Sequence, residues 1–365
     1  MGNATFNVAV IEGDGIGPDV VAATRAVIEA AQKRVGGFSL NFDYHAAGAG
    51  YYAEHGRDMA PGSEDAVAEA DAILLGAIGL PHIRATDGTE IAPHLRLREN
   101  MQLYAGVRPV KAYPNGPQKL AAPEAAKIDF IVLRESTEGL FYSAAVHGRT
   151  QIANDDEVQD ILRITRPTTE KLHDFAFRLA QKRKGRGSPG RVTCVDKANV
   201  FQSMALFRKI FQERAAAFPD IETGTNYVDA QALDLIRRPW EFDVLVMENM
   251  FGDILSDLAG GLVGGMGMAS CAEIGDNHGL FQPAHGSAPD IAGEDKANPL
   301  AAILSGALML DYLGERHGVE QLVTAALEIE GAVERAFAAG EMRPMEFGGD
   351  QGTKALTEAL LAVLG

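Results

Sequence analysis

The sequence predicts an α/β protein. Two observations carry this: apolar runs of strand length alternate with amphipathic stretches of helical period, and a glycine-rich turn joins the first such pair. Length supplies a third, since a chain of 365 residues exceeds the roughly 250–300 at which one core stops growing and therefore divides into two domains.

The elements follow in order. Residues 7–11 form an apolar strand that runs into Glu12-Gly13-Asp14-Gly15-Ile16-Gly17-Pro18, where the third glycine comes one residue too early for a dinucleotide-binding fingerprint. Pro18 pre-sets the first turn of a helix over 19–34, whose Val20, Val21, Ala23, Thr24, Val27, Ile28 and Ala31 make one apolar stripe. Strands are expected over 38–44 and 72–77, with a helix over 63–70 between them. A helix through Leu95 to Ala105 leads to an extended segment ended by Pro109, and a strand over 128–133 delivers Arg134. The helix over 162–184 closes on Lys182-Arg183-Lys184-Gly185, a basic last turn and a glycine, as helix C-termini prefer. Strands over 192–195 and 223–228 lead to Lys197 and Asp229, each followed by a helix. The run 242–246 is a buried strand, and a helix starting at Gly252 follows it. Gly260 to Gly267 holds five glycines, a closely approached backbone. The stretch 279–293 is rich in turn formers and predicts no regular element, while 297–313, 319–339 and 353–364 are helical.

Charge narrows the function. Thirty-three Lys and Arg against fifty Asp and Glu give a net charge of −17, which opposes binding to nucleic acid or to anionic membranes. Cys194 and Cys271 are the only cysteines and are far apart, so neither a disulfide framework nor a zinc site is expected, which fits a reducing cytoplasm. The stretch 1–10 has no signal-peptide pattern, and no apolar run reaches the roughly 18 residues of a membrane span.

Candidate chemistry lies at the element ends. On a helix Asp253 and Asp257 fall one turn apart and share a face, so they either ligate Mg²⁺ or Mn²⁺ through oxygen or form a solvated surface near a helix start. Arg96, Arg98 and Arg108 fall within thirteen residues, a pattern that suits a solvated face as well as a carboxylate grip. Arg134, at the end of an apolar strand, needs an anion or a route to solvent. Lys197 is either an active-site cation or a partner for Asp196 or Glu213, and Asp229 is either a ligand or an N-cap.

Taken together, Gly13-Asp14-Gly15-Ile16-Gly17-Pro18, Leu97-Arg98 with Arg108-Pro109, Arg134-Glu135-Ser136-Thr137-Glu138, Val195-Asp196-Lys197-Ala198-Asn199, Val228-Asp229-Ala230, residues 249–257 and His285-Gly286-Ser287-Ala288-Pro289-Asp290-Ile291-Ala292-Gly293 resemble the ordered motifs of the β-decarboxylating dehydrogenases, the isocitrate/isopropylmalate dehydrogenase family. The resemblance implies an isopropylmalate dehydrogenase-like two-domain fold that is not a Rossmann fold, with a mixed parallel and antiparallel sheet and flanking helices. It implies a cofactor-binding domain from 1–105 plus 264–365, and a central substrate, metal and dimerisation domain over 106–263. It further implies a cytoplasmic homodimer with shared active sites that oxidises and decarboxylates a 3-substituted malate with NAD and Mg²⁺ or Mn²⁺.

Carried over by position, Arg98, Arg108 and Arg134 bind the substrate carboxylates, with Lys197 and Asn199 beside them. Asp253 and Asp257, with Asp229 of the second subunit, hold the metal, while Lys197, also of the second subunit, assists deprotonation of the C2 hydroxyl and acts catalytically with Asp229. Ile16, His285, Gly286, Ser287, Ala288, Asp290, Ile291 and Asn298 bind the cofactor. Asp290 stands where members that use NAD carry an acid for the ribose hydroxyls, and it would repel a 2′-phosphate.

The chain departs from the pattern at Phe141, where the family has a proton-donating tyrosine. Tyr142, one step later, is the candidate acid, unless water completes the reaction or decarboxylation is slow or lost. Gln282 replaces a common glutamate, and Ile91, His94, Leu95 and Arg96 stand where the third substituent is read. The expected substrate is 3-isopropylmalate, followed by tartrate or D-malate, then isocitrate or homoisocitrate. A non-catalytic regulatory subunit predicts loss of the aspartates or Lys197, all of which are present, and EDTA separates this enzyme from a metal-free Rossmann dehydrogenase.

Overall fold

A computed structural model describes residues 3–86, 88–145 and 152–365, so Met1 and Gly2 of the amino-terminal stretch lie outside it. Its strands are β1 (Ala4–Gly13), β2 (Phe38–Tyr44), β3 (Ala72–Ala77), β4 (Ala105–Lys111), β5 (Asp129–Glu135), β6 (Ile152–Ala153), β7 (Val158–Gln159), β8 (Arg191–Asp196), β9 (Glu222–Tyr227), β10 (Val244–Met247), β11 (Ser270–Ile274) and β12 (Gly279–Pro283). Its α-helices are α1 (Gly17–Val35), α2 (Ala49–His55), α3 (Ser63–Glu69), α4 (Pro93–Asn100), α5 (Phe141–Ala145), α6 (Arg166–Gly185), α7 (Gln202–Ala215), α8 (Val228–Arg237), α9 (Asn249–Leu262), α10 (Leu300–His317), α11 (Glu320–Ala338) and α12 (Thr353–Leu364).

Among the described residues ten strands make one sheet, in the order β2-β1-β3-β12-β11-β4-β5-β10-β8-β9. The expected mixed α/β sheet is therefore present, antiparallel across β12-β11-β4-β5 and parallel on either side. Strands from both ends of the chain build one half and strands from its middle build the other, joined where β11 pairs with β4.

Both faces are covered, as the near-continuous apolar strands require. Alternate residues of each strand go to opposite sides. Val8, Val10, Leu74, Val107, Leu133, Val244 and Val246 join a core with α6, α10 and α11 on what we call the rear face. On the front face Ala9, Ile11, Ile73 and Leu75 pack with Leu97 of α4, and Val132, Leu245 and Met247 pack with Leu255 and Ala259 of α9. The front is thus covered by two separate clusters, with the functional residues between them. No helix of the described residues is long and apolar enough to cross a membrane.

Three expectations are corrected. Residues 279–283 form β12 instead of a turn, because they are buried between β3 and β11. Pro109 lies inside β4 rather than ending an extended segment, and is tolerated because β11 pairs β4 only at residues 105–107. The helix α9 starts at Asn249 instead of Gly252, because the Glu248 side chain accepts hydrogen bonds from the Met250 and Phe251 amides and caps it.

His173 of α6 is fully buried edge-on to Phe207 and Phe211, and neither ring nitrogen has a hydrogen-bond partner. Burial pushes its imidazole down to about 3. A depressed histidine stabilises the fold above its unfolded value near 6.5, and that stability is lost as pH falls toward the folded value. Between about pH 8 and about pH 5 the loss amounts to about 2 kcal/mol. His173→Leu is expected to remove this part of the acid sensitivity in urea denaturation, and an unchanged pH dependence contradicts the assignment.

Candidate functional site

Three arginines from three elements converge between the front clusters. Arg98 of α4, Arg108 of β4 and Arg134 of β5 are only 6%, 7% and 3% exposed, which rules out the solvated-face reading for Arg98 and Arg108. What permits their burial is Glu273 of β11, itself fully buried, whose Oε1 lies 3.1 Å from Arg98 and 3.8 Å from Arg108. Burial by itself raises the Glu273 carboxyl, but Arg98, Arg108 and Arg134 outweigh it and hold the group below its ordinary value. Gly106 makes room for this carboxylate, since a Cβ there would meet Ser136 Oγ at 2.6 Å and Glu273 Oε2 at 3.0 Å. Arg98 Nε and Arg108 Nε remain buried with no acceptor. Orphaned cationic donors of this kind call for an anionic ligand.

Arg134 is fixed by Asn249, whose Oδ1 accepts from Nε at 2.9 Å and from Nη2 at 2.7 Å. Its other end pairs with Asp253. Burial and the neighbouring Arg108 and Arg98 push the Arg134 guanidinium down to about 10, so a further anion here is stabilising. Asp257, one turn beyond Asp253, lies 3.9 Å from Arg108. Burial raises its carboxyl, an effect that Arg108 opposes. The two aspartates offer oxygen donors suited to Mg²⁺ or Mn²⁺ on one helical face. Among the described residues no group of three or more His, Cys, Asp or Glu stands ready to hold a metal, so one chain places two such donors here and not Asp229.

The cleft beside the arginines is lined by Leu95, Arg98, Glu99, Arg134, Ser136, Thr137, Phe141 and Asn249. Leu95 and Phe141 form its apolar side. Phe141 lies beneath the Arg134 guanidinium, 4.9 Å from ring centroid to Cζ, whereas Tyr142 packs against Arg163 at 4.7 Å. Phe141, and not Tyr142, is therefore the ring that lines the cleft. Arg96 does not reach the cleft, because Asp58 at 2.7 Å and Glu64 at 2.5 Å hold it elsewhere. His94 has a buried, unpartnered Nδ1, and burial followed by Arg98 pushes its imidazole down to about 3. It is neutral at physiological pH, and Ile91 is buried nearby in the chain.

Lys197 and Asp229 pair with each other at the far end of the sheet, beyond β8 and β9. The lysine hydrogen bond holds the Asp229 carboxyl below its ordinary value. Neither Asp196, which binds Arg208, nor Glu213, which binds Arg166, takes Lys197, and the N-cap of α8 is Tyr227 and not Asp229, which lies in the first turn. Asn199 is exposed beside Lys197. Large apolar side chains also face solvent on α8 and α9 near these acids, with Leu233 54%, Ile236 47% and Ile254 57% exposed.

The first glycine turn docks on the loop that carries the expected cofactor residues. Ile16 N donates to Ser287 O at 2.8 Å, and Gly15 has φ +57°, with its Cβ position only 2.0 Å from that same oxygen. Ser287 Oγ in turn bonds Gly79 O, while Ile16 packs beside Ala288 and Ile291. His285 Nδ1 meets Gly286 O at 2.9 Å, and its Nε2 is buried with no partner. Burial lowers its imidazole, so the ring is held neutral. Gly286 and Asp290 are exposed, leaving the carboxylate accessible, and Asn298 bonds Glu346 at 2.9 Å. An orphaned imidazole nitrogen, backbone turns and an accessible acid are groups that fit a dinucleotide.

Glu273 and Asn249 are the site residues whose roles the motif reading missed. A carboxylate within the apolar run Ser270–Ile274 was the available signal, since a buried acid must find cations.

The chain matches the family described as isocitrate/isopropylmalate dehydrogenase over residues 7–360. It is 42% identical over 352 residues, 96% of each chain, to the 3-isopropylmalate/3-methylmalate dehydrogenase of Methanocaldococcus jannaschii. The 3-isopropylmalate dehydrogenase of Chlorobium chlorochromatii is 35% identical over 370 residues, covering 98% of this chain and 99% of the other. The crystal structure of isocitrate dehydrogenase from Methylococcus capsulatus superposes with a TM-score of 0.83 at 33% identity, covering 98% of this chain and 99% of that one.

Proposed function

We propose, since the chain belongs to the isocitrate/isopropylmalate dehydrogenase family, that this oxidoreductase oxidises and decarboxylates 3-isopropylmalate with NAD and Mg²⁺ or Mn²⁺. The observation that carries the reading is the buried Arg98, Arg108, Arg134 and Glu273 cluster beside an apolar wall of Leu95 and Phe141. Three guanidiniums suit the two carboxylates of a malate, and the apolar wall suits an alkyl substituent at C3. With His94 neutral and Arg96 committed to Asp58 and Glu64, neither of these two groups offers a cation to a third carboxylate, which disfavours isocitrate and homoisocitrate. The names of two relatives agree with an alkylmalate.

The substrate binds with its carboxylates on the arginines. Lys197 of the second copy, paired there with Asp229, assists loss of the C2 hydroxyl proton to water as the C2 hydride leaves, and the C3–carboxylate bond then breaks, releasing CO₂ and leaving its electron pair in an enol. A bound Mg²⁺ or Mn²⁺ would supply Lewis-acid polarisation of the C2 oxygen throughout, held by Asp253, Asp257 and the partner subunit's Asp229. NAD would supply the hydride acceptor, held by Ile16, His285, Gly286, Ser287, Ala288, Asp290, Ile291 and Asn298, with Asp290 favouring free ribose hydroxyls. Asn199 stands beside Lys197 at the substrate. Proton return to C3 is assigned to water, because Phe141 and not Tyr142 lines the cleft. Tyr142→Phe is therefore expected to cost less than about tenfold in turnover, whereas a phenolic acid would cost about 10²–10⁴.

The working unit is a homodimer. Exposed Leu233, Ile236 and Ile254 beside Asp229 and Asp253 support an interface that brings Lys197 and Asp229 of one copy to Asp253 and Asp257 of the other. Residues 1–105 with 264–365 form the cofactor domain and 106–263 the substrate, metal and dimer domain. Two free, buried cysteines accord with a cytoplasmic site of action.

The test is NADH formation from NAD⁺ and Mn²⁺ with 3-isopropylmalate, 3-methylmalate, D-malate, tartrate and isocitrate, with CO₂ recorded alongside. Equal NADH and CO₂ from 3-isopropylmalate, lost with EDTA, is the expected result. Preference for tartrate or isocitrate would overturn the substrate, and indifference to EDTA would overturn the metal.

A further inference from the structure

On the rear face of the sheet lies a second cleft of about 660 Å³ that the proposed reaction does not use. Its floor follows from strand alternation: Val107, Pro109, Ile131, Ala272 and Ile274 face it, while Arg108, Arg134 and Glu273 on the same strands face the front. One wall is α6 from the middle of the chain, with Phe175, Arg178 and Leu179, and the other is α10, with Leu304, Leu308 and Tyr312. The volume falls in the range of about 300–1,000 Å³ typical of small-molecule sites, and the apolar floor is rimmed by charged side chains of α6 and α10.

Two polar groups in it, the exposed Arg178 and the shielded Tyr312 Oη, make no ion pair and no hydrogen bond of good geometry among the described residues. Tyr312 Oη is shielded from solvent and makes no hydrogen bond of good geometry, the Arg316 guanidinium lying instead 5.8 Å from the ring centroid. The other lining cations are committed: Lys111 to Glu334, Lys182 to Asp311 and Glu315, Arg183 to Asp243, Arg186 to Asp311, and Arg316 to the Asp276 carbonyl. Arg178, among the described residues, has neither an ion pair nor a hydrogen bond. The acid whose field it feels, Asp276, is already paired with Lys171 and takes the Tyr104 hydroxyl. Of the lining acids, Asp129, Asp311 and Glu315 are ion-paired, and burial followed by Asp311 raises the carboxyl of Glu330.

We propose that this rear cleft binds an amphipathic organic acid, with its apolar body between α6 and α10, its anionic head on Arg178 and an acceptor on Tyr312 Oη. The probe is anilinonaphthalene sulfonate, an aromatic anion whose fluorescence reports transfer from water, titrated into the full-length protein. One saturable site per chain is expected. Arg178→Glu should weaken it by about tenfold or more, the scale of a lost charge-assisted contact. Tyr312→Phe should weaken it by about threefold without lowering Tm, because it also removes an unsatisfied buried hydroxyl. Leu308→Trp, which fills the cleft, should abolish binding if Arg178→Glu fails to fold. Absence of saturable binding, binding unaltered by Arg178→Glu, or displacement by 3-isopropylmalate with Mn²⁺ would each overturn the assignment, the last by placing the probe at the front.

Discussion

Arg98→Leu is expected to destabilise the fold by about 3 kcal/mol, at the low end of the cost of orphaning a buried charge. Glu273 is fully buried and Arg98 is its nearer partner at 3.1 Å, with Arg108 at 3.8 Å. Removing Arg98 leaves a carboxylate that water cannot reach and that the more distant Arg108 and Arg134 only partly neutralise. The double variant Arg98→Leu, Glu273→Leu should recover most of that stability, because replacing a buried ion pair by apolar groups is often neutral or better. It should not recover function: kcat/KM for 3-isopropylmalate should stay down by about 10²–10³, the loss of a bidentate charge-assisted grip. Urea denaturation and steady-state kinetics on the three proteins separate the effects. A single variant as stable as the wild type contradicts the role given to Glu273.

Lys197→Met is expected to reduce NADH formation by about 10²–10⁴, the usual contribution of a positioned group that assists proton transfer. CO₂ release should fall in step, because decarboxylation follows oxidation. Stability should hardly change. Asp229 is 69% exposed, and an ion pair so open to water and salt adds little to stability. NADH formation that persists at more than about a tenth of the wild-type rate assigns the proton to another group.

The strands and helices that carry their own period were legible in the chain, such as α1 with its single stripe and the runs that became β2 and β3. What was not legible was decided by distant neighbours. β12 reads as turn because Gly279 and Pro283 bracket only two apolar residues and Gln282, and only β3 and β11 on either side make it a strand. The start of α9 was misplaced by three residues because Glu248, a cap through its side chain, has the sequence character of a surface acid. The arginines read equally as solvated face or as grip, since their burial depends on Glu273, some 165 residues beyond Arg108. Arg96 and Arg98, two residues apart, go to a surface acid pair and to the cleft respectively, a division that helix geometry permits but that residue type does not announce. The motif series located the site, and the contacts between its members required the fold.

The most direct test of the account mixes two inactive proteins. Lys197→Met and Asp253→Asn variants, each inactive alone, are unfolded together, refolded at equal concentration and assayed with 3-isopropylmalate, NAD⁺ and Mn²⁺, with native mass measurement of the mixed dimer. If each site takes Lys197 and Asp229 from one copy and Asp253 and Asp257 from the other, a mixed dimer contains one intact site, and activity should return to about a quarter of wild type. Mixed dimers that form and remain inactive would contradict a site shared between two copies of the chain.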